Sequence, residues 1–172
     1  MTGNHFTSSD SVAWFRWISI KPYGTGHFLN GVTIIGNVFK AFDGPELQRV
    51  EAVDDSIAPL LPEKFRNVTI DSNTFNGVAD TFMNPVTLQV ERTSLSSGWR
   101  TGIGAFLPFE SKARFGTAIV PNTPIRNGPN QIIYSQPYFT GETGPTGKSF
   151  DIDWGQGVTG KVRATVRCDD TK

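Results

Sequence analysis

The chain has 172 residues, enough to bury one core or two small ones. Hydrophobic residues make up 37% and charged residues 19%, the composition of a folding chain and not of a disordered one. Sixteen basic residues balance sixteen acidic ones, which argues against a nucleic-acid binder that relies on phosphate neutralisation, and no apolar run of about 18 residues exists to span a membrane.

Eighteen glycines, eleven prolines and 12% aromatic residues favour β-structure with many turns. The opening MTGNHFTSSD has neither the basic flank nor the apolar stretch of a secretory signal. Within it begins a phrase that recurs: MTGNHF at 1–6, IIGNVF at 34–39 and IDSNTF at 70–75, the asparagines 33 and then 36 residues apart. V-T-I precedes the second and third copies at 32–34 and 68–70, and the turn pairs Asn30-Gly31 and Arg66-Asn67 precede those. Val32 and Ile34 alternate as an inward-facing strand, with Thr33 pointing out. The bend that follows is expected at Asn37, because asparagine tolerates the left-handed region. Stacked passes then place Asn4, Asn37 and Asn73 in one hydrogen-bonded amide column, and Phe6, Phe39 and Phe75 in another. This is the requirement of a parallel β-helix, in which each coil buries its apolar face against a neighbour.

The surplus residues of each pass leave as excursions, 7–30 and 40–66. The first carries the aromatic, strand-like run AWFRWISI at 13–20 and a turn around Pro22 and Gly24. In the second, Pro45 is placed to open a short helix, and 59–62 reads as loop. Met1 aligns with Ile34 and Ile70, so the first copy lacks most of its strand; further coils are expected upstream in a parent protein. After Phe75 the phrase stops. Strands are expected at 86–90, 117–120, 131–134, 138–140, 149–154 and 161–168, with turn clusters at 121–124, 127–130 and 155–157. The expected architecture is all-β: terminal coils of a right-handed parallel β-helix over 1–83, then a small antiparallel β-sandwich or roll over 84–172.

Few residues carry a chemical signature. The stretch 141–149, GETGPTGKS, lacks the glycine that a phosphate loop needs where Glu142 stands, and a strand follows it, so it reads as a hairpin loop. Asp10 and Asp43 each lie six residues after the column asparagine and Asp80 seven after; stacked carboxylates suit glycoside hydrolysis, although a repeated turn is the commoner reason for such a column. Asp54-Asp55 is a further acidic pair. Two histidines and one cysteine, Cys168, give no metal-ligand spacing, no disulfide and no cofactor motif. Trp14, Trp17 and Tyr23 in the first excursion, with Trp99 in the second half, are the candidate glycan contacts, because aromatic faces cover the apolar side of a sugar; core or subunit interface is the competing role.

The wording NGVTIIGNVF and FRNVTIDSNTF resembles right-handed β-helix proteins of the pectate-lyase and polygalacturonase-related superfamily. More narrowly, residues 3–59 resemble the C-terminal part of head spike proteins of alphaproteobacterial gene transfer agents, which are phage-like particles; a looser likeness continues through Asn84-Pro85, Leu107-Pro108-Phe109 and 162–167. The resemblance implies a homotrimeric spike on the surface of an extracellular particle, bound to capsular polysaccharide and joined to upstream coils or another particle protein. The polygalacturonase signatures are not intact: Gly26-His27-Phe28 matches one fragment, and Asp54-Asp55 lies downstream of it in the wrong order. The alternative left open is the C-terminal part of a polysaccharide lyase or glycoside hydrolase.

Overall fold

The structure, a computed structural model, describes residues 1–171. It is all-β, with several sheets, one of them antiparallel. Among the described residues the only helices are two short 3-10 turns, Pro62–Lys64 and Pro108–Glu110, and no helix is long and apolar enough to cross a membrane. Two compact units form. The first holds Met1–Pro85, Ala105–Ser111 and the chain from Asp169 onward, and the second holds Val86–Gly104 and Lys112–Cys168. Two later segments thus fold with the first unit, which a single cut after residue 83 does not capture.

Strands β1 (His5–Ser9), β2 (Ile18–Ile20), β3 (Leu29–Asn30), β4 (Thr33–Ile35), β5 (Val38–Phe42), β6 (Glu51–Val53), β7 (Phe65–Arg66), β8 (Thr69–Asp71) and β9 (Thr74–Asn76) make up the first unit. Every pairing among them is parallel and joins a strand to its counterpart one repeat away: β1-β5-β9, β2-β6, β3-β7 and β4-β8. Phe6 lies opposite Phe39 and Phe39 opposite Phe75, while Ile34 lies opposite Ile70. Strands about 4.8 Å apart force like residues in register to stack. The phenylalanine rings do so, with centroids 5.0 and 5.7 Å apart and planes within 9° and 11° of parallel. Those centroid separations suit the offset arrangement that aromatic quadrupoles favour.

The bend before each asparagine is made by its predecessor. Gly3, Gly36 and Ser72 are left-handed, with φ of 66°, 63° and 55°, whereas none of the three asparagines has positive φ. The expectation that Asn37 itself turns the corner is therefore corrected: glycine turns at lower cost, and the asparagine is left to aim its amide along the stack. Pro45 opens no helix either. Leu47 donates to the Gly77 carbonyl and accepts from Ala79 N–H, so the segment is held extended against the next pass. Gly77 is required there, since its φ is 68° and a Cβ would fall 2.4 Å from the Ala41 carbonyl oxygen.

Beyond β8 the ladder is closed by the chain itself. Ile70 and Asn84 exchange backbone hydrogen bonds, and Asn67 N–H donates to the Asp170 carbonyl. Asn84 and Asp169, 0% and 1% exposed, complete the closure. Asn84 Nδ2 donates to Val68 O at 2.7 Å and to Asp169 Oδ1 at 2.6 Å, and Asp169 Oδ2 accepts from Val68 N–H at 2.8 Å. A strand edge buried without partners would be costly, and these side chains supply them.

The second unit contains β10 (Val86–Gly102), β11 (Phe115–Pro121), β12 (Arg126–Asn127), β13 (Tyr138–Thr143) and β14 (Ser149–Arg167). These form one antiparallel sheet. β14 is central, with β10 along one side and β11, β12 and β13 along the other. The turn expected at 155–157 is a bulge inside β14, and the strands expected at 149–154 and 161–168 are one strand ending at Arg167. The segment 131–134 forms only a bridge from Ile132 to Arg126. The loop at 144–148 joins β13 to β14 as a hairpin. Cys168 is buried.

Candidate functional site

The asparagine column occupies the corner between β4 and β5 and its equivalents. Asn37 Oδ1 accepts from both the backbone N–H and the Nδ2 of Asn4, at 3.0 and 3.1 Å. Asn73 Oδ1 accepts in the same way from Asn37, at 2.9 and 3.0 Å. Every rung therefore pairs one carbonyl with two donors from the preceding pass. A second amide rung, Asn67 Nδ2 to Asn30 Oδ1 at 3.1 Å, escaped the sequence reading, although both residues had been assigned to turns at nearly the repeat spacing.

The excursion 11–28 carries the exposed aromatics of the first unit. A tight turn, Phe15 N–H to Val12 O, holds Trp14 outward, and the Arg16 guanidinium ties the turn by donating to the Ala13 and Phe15 carbonyls. Trp14 is 79% exposed and Tyr23 is 77% exposed. Trp17 differs: it is half-buried, its ring 5.2 Å from Phe15 edge-on and 5.8 Å from Phe39, so it serves the phenylalanine column. Two residues before Tyr23, Lys21 Nζ meets Asp54 Oδ2 at 2.7 Å and Ser56 Oγ at 2.9 Å. The hydrogen bonds from Lys21 and Ser56 hold the Asp54 carboxyl down at about 2. Asp54 is thereby committed to an ion pair between passes.

His27 is equally occupied. Its Nε2 accepts from Leu61 N–H at 3.2 Å, which puts the proton on Nδ1, 2.8 Å from the Gly24 carbonyl. The Gly26-His27-Phe28 fragment is thus a backbone tie. Asp10 and Asp43 sit at the ends of β1 and β5 with φ of 53° and 57°, and neither side chain makes a hydrogen bond or ion pair among the described residues. Asp80 lies 3.9 Å from Arg49. Left-handed backbone at a repeated turn explains Asp10 and Asp43, whose short side chains tolerate it.

One carboxyl has a perturbed environment that the sequence did not signal. Glu51 is 3% exposed; burial raises it above the usual carboxylate range, and the Arg49 guanidinium partly opposes this. Its Oε1 accepts from Arg49 Nε at 2.7 Å and from Phe109 N–H at 3.3 Å. Arg49 also donates to Leu107 O at 2.6 Å. The pair fixes the 105–111 segment on the first unit and is closed to a substrate.

In the second unit Trp99 is fully buried, its ring 5.4 Å from Trp154 and its Nε1 donating to Ser96 O at 3.1 Å. It is withdrawn as a glycan contact. Val86 and Val90 face the core from even positions of β10, and bulges between Arg92 and Gly98 shift that parity, so odd-numbered Trp99 and Ile103 point inward.

No group of three or more His, Cys, Asp or Glu side chains among the described residues is placed to hold a metal ion. Of the sequence candidates, Trp14 and Tyr23 are thus the two aromatics that stand exposed to solvent. The chain matches no family model, no curated protein and no solved structure with which it was compared.

Proposed function

We propose that the first unit is the terminal section of a right-handed parallel β-helix, and that the chain is a homotrimeric attachment module for cell-surface polysaccharide on a phage-like particle of the gene-transfer-agent type. One observation carries the reading: parallel, in-register passes with an amide column and a phenylalanine column, from which Trp14 and Tyr23 project into solvent. Such a stack is rigid, and an aromatic ring on a rigid support covers a sugar face at low entropic cost. The outer side of β1 has no partner strand among the described residues, and it is the surface that upstream coils or another particle protein would cover.

The test is retention of the purified chain on immobilised capsule from the recipient cell. Trp14→Ala and Tyr23→Ala are each expected to weaken retention at least about tenfold, the equivalent of about 1.4 kcal/mol. Asp10→Asn and Asp43→Asn are expected to leave both retention and polymer length unchanged. Shortening of the capsule by the wild-type chain, abolished by either aspartate change, would replace this reading with a polysaccharide-cleaving enzyme. Light scattering is expected to give three chains; a clean monomer that still binds capsule would remove the trimer from the proposal.

A further inference from the structure

The second unit carries a groove beside β11 that no sequence motif announced. Its floor is Ile119 on β11 and Trp154 on β14, and it encloses about 640 Å³, inside the range of roughly 300–1,000 Å³ usual for ligand clefts. A second hollow of about 450 Å³ shares Ile119, Gln136 and Pro137 with it, so the two form one elongated trough. Hydrogen bonds hold the walls. Ile133 N–H donates to Ile125 O at 2.8 Å, Asn122 N–H to Lys161 O at 2.8 Å, and Lys161 N–H to Thr123 Oγ1 at 3.0 Å.

Three features define what fits. No charged side chain lines either hollow, so an acidic polymer would find no cation there. The polar groups at the rim are amides and hydroxyls, those of Asn122, Gln136, Thr123 and Ser135, which donate and accept alike, as sugar hydroxyls do. Two tyrosines flank the shared Gln136-Pro137 segment, Tyr134 and Tyr138, 91% and 80% exposed. An aromatic ring left so open gains most from a flat, partly apolar ligand face. Trp154, 6% exposed, closes the floor beneath these groups.

The geometry points to a second carbohydrate subsite in this trough, specific for an uncharged hexose polymer lying across Tyr134 and Tyr138. This rests on the polysaccharide-binding reading above and adds to it a location and a ligand class. Affinity electrophoresis of the full chain through gels containing dextran, laminarin, polygalacturonate or alginate tests it. The expected result is retardation by a neutral polymer, weakened at least tenfold in Tyr134→Ala and Gln136→Ala and unchanged in Ile57→Ala, an exposed side chain with no part in either site. Both altered side chains are exposed, so these variants fold. Retardation by the acidic polymers alone, or neutral retardation that survives Tyr134→Ala, overturns the subsite and leaves the capsule reading standing on Trp14. No retardation by any of the four polymers also overturns it, and the capsule assay decides the wider reading separately. Binding of an extended proline-rich peptide that Tyr134→Ala abolishes would reassign the trough to a protein partner.

Discussion

Asn37 is the residue on which the stack is most dependent, and replacing it separates the amide column from the apolar one. The side chain is 0% exposed and central, with Asn4 on one side and Asn73 on the other. Truncation to alanine removes the two bonds that Oδ1 accepts from Asn4 and also the two Nδ2 hydrogens, which have three acceptors within reach: Asn73 Oδ1, Ile35 O and Met1 O. Asn4 is exposed, so water replaces much of what it loses, and those bonds count at the low end of the range of about 0.5–1.5 kcal/mol per bond. The donated bonds lie deeper and count nearer the middle. A total cost of about 3 kcal/mol follows, against about 0.5–1 kcal/mol for Asn4→Ala, where the backbone N–H bond survives.

Asn37→Asp sharpens the test, because it keeps the shape but turns a donor into a charged acceptor facing three oxygens. Its folded-state pKa is raised by that environment. The penalty is full above the folded value and relieved as pH falls toward the ordinary aspartate value of about 3.9. At pH 7 the Asp variant is expected to be less stable than the Ala variant, with the gap closing in acid. Urea unfolding should be followed by hydrogen exchange at Thr74 N–H, which bonds Asn37 O, so that loss in the first unit is read apart from the second. A cost for Asn37→Ala no larger than that for Asn4→Ala, or an Asp variant insensitive to pH, would show that the column does not stabilise the stack.

Ser72→Gly is expected to raise stability by about 0.5–1 kcal/mol in thermal unfolding, because a left-handed L-residue costs roughly 1–2 kcal/mol and glycine returns only part of this in entropy. Asp169→Ala should cost about 3 kcal/mol and speed exchange at Val68 N–H, since it removes a buried acceptor of two bonds. For Asp54 the folded carboxyl is depressed, so its contribution is present above the ordinary carboxylate range and is lost as pH falls toward about 2. Asp54→Asn should therefore flatten the acid limb of the stability profile over that interval, and Lys21→Met should do the same.

The repeat itself was legible before any fold was known. Identical residues at 33 and 36 positions can be recognised by comparison within the chain, and a parallel stack makes each of them its own neighbour. That is why Asn4, Asn37, Asn73 and the three phenylalanines were placed from sequence alone. The direction of each bend was less legible, since glycine before asparagine and asparagine itself both suit a left-handed corner, and the structure gives the corner to Gly3, Gly36 and Ser72. Contacts between unlike segments left no periodic trace. Asp169 reaches Val68 across 101 residues, and nothing in either neighbourhood marks the other as its partner. Between the two roles the sequence left open to Trp99, the structure gives it the core: two bulges against β14 reverse which face of β10 is inward, and a bulge belongs to the pair of strands, not to one. The trough beside β11 is likewise assembled from loops that meet only once β14 has paired with its neighbours. Self-similar packing is written in the chain as spacing, whereas packing between dissimilar parts is decided only when they come together.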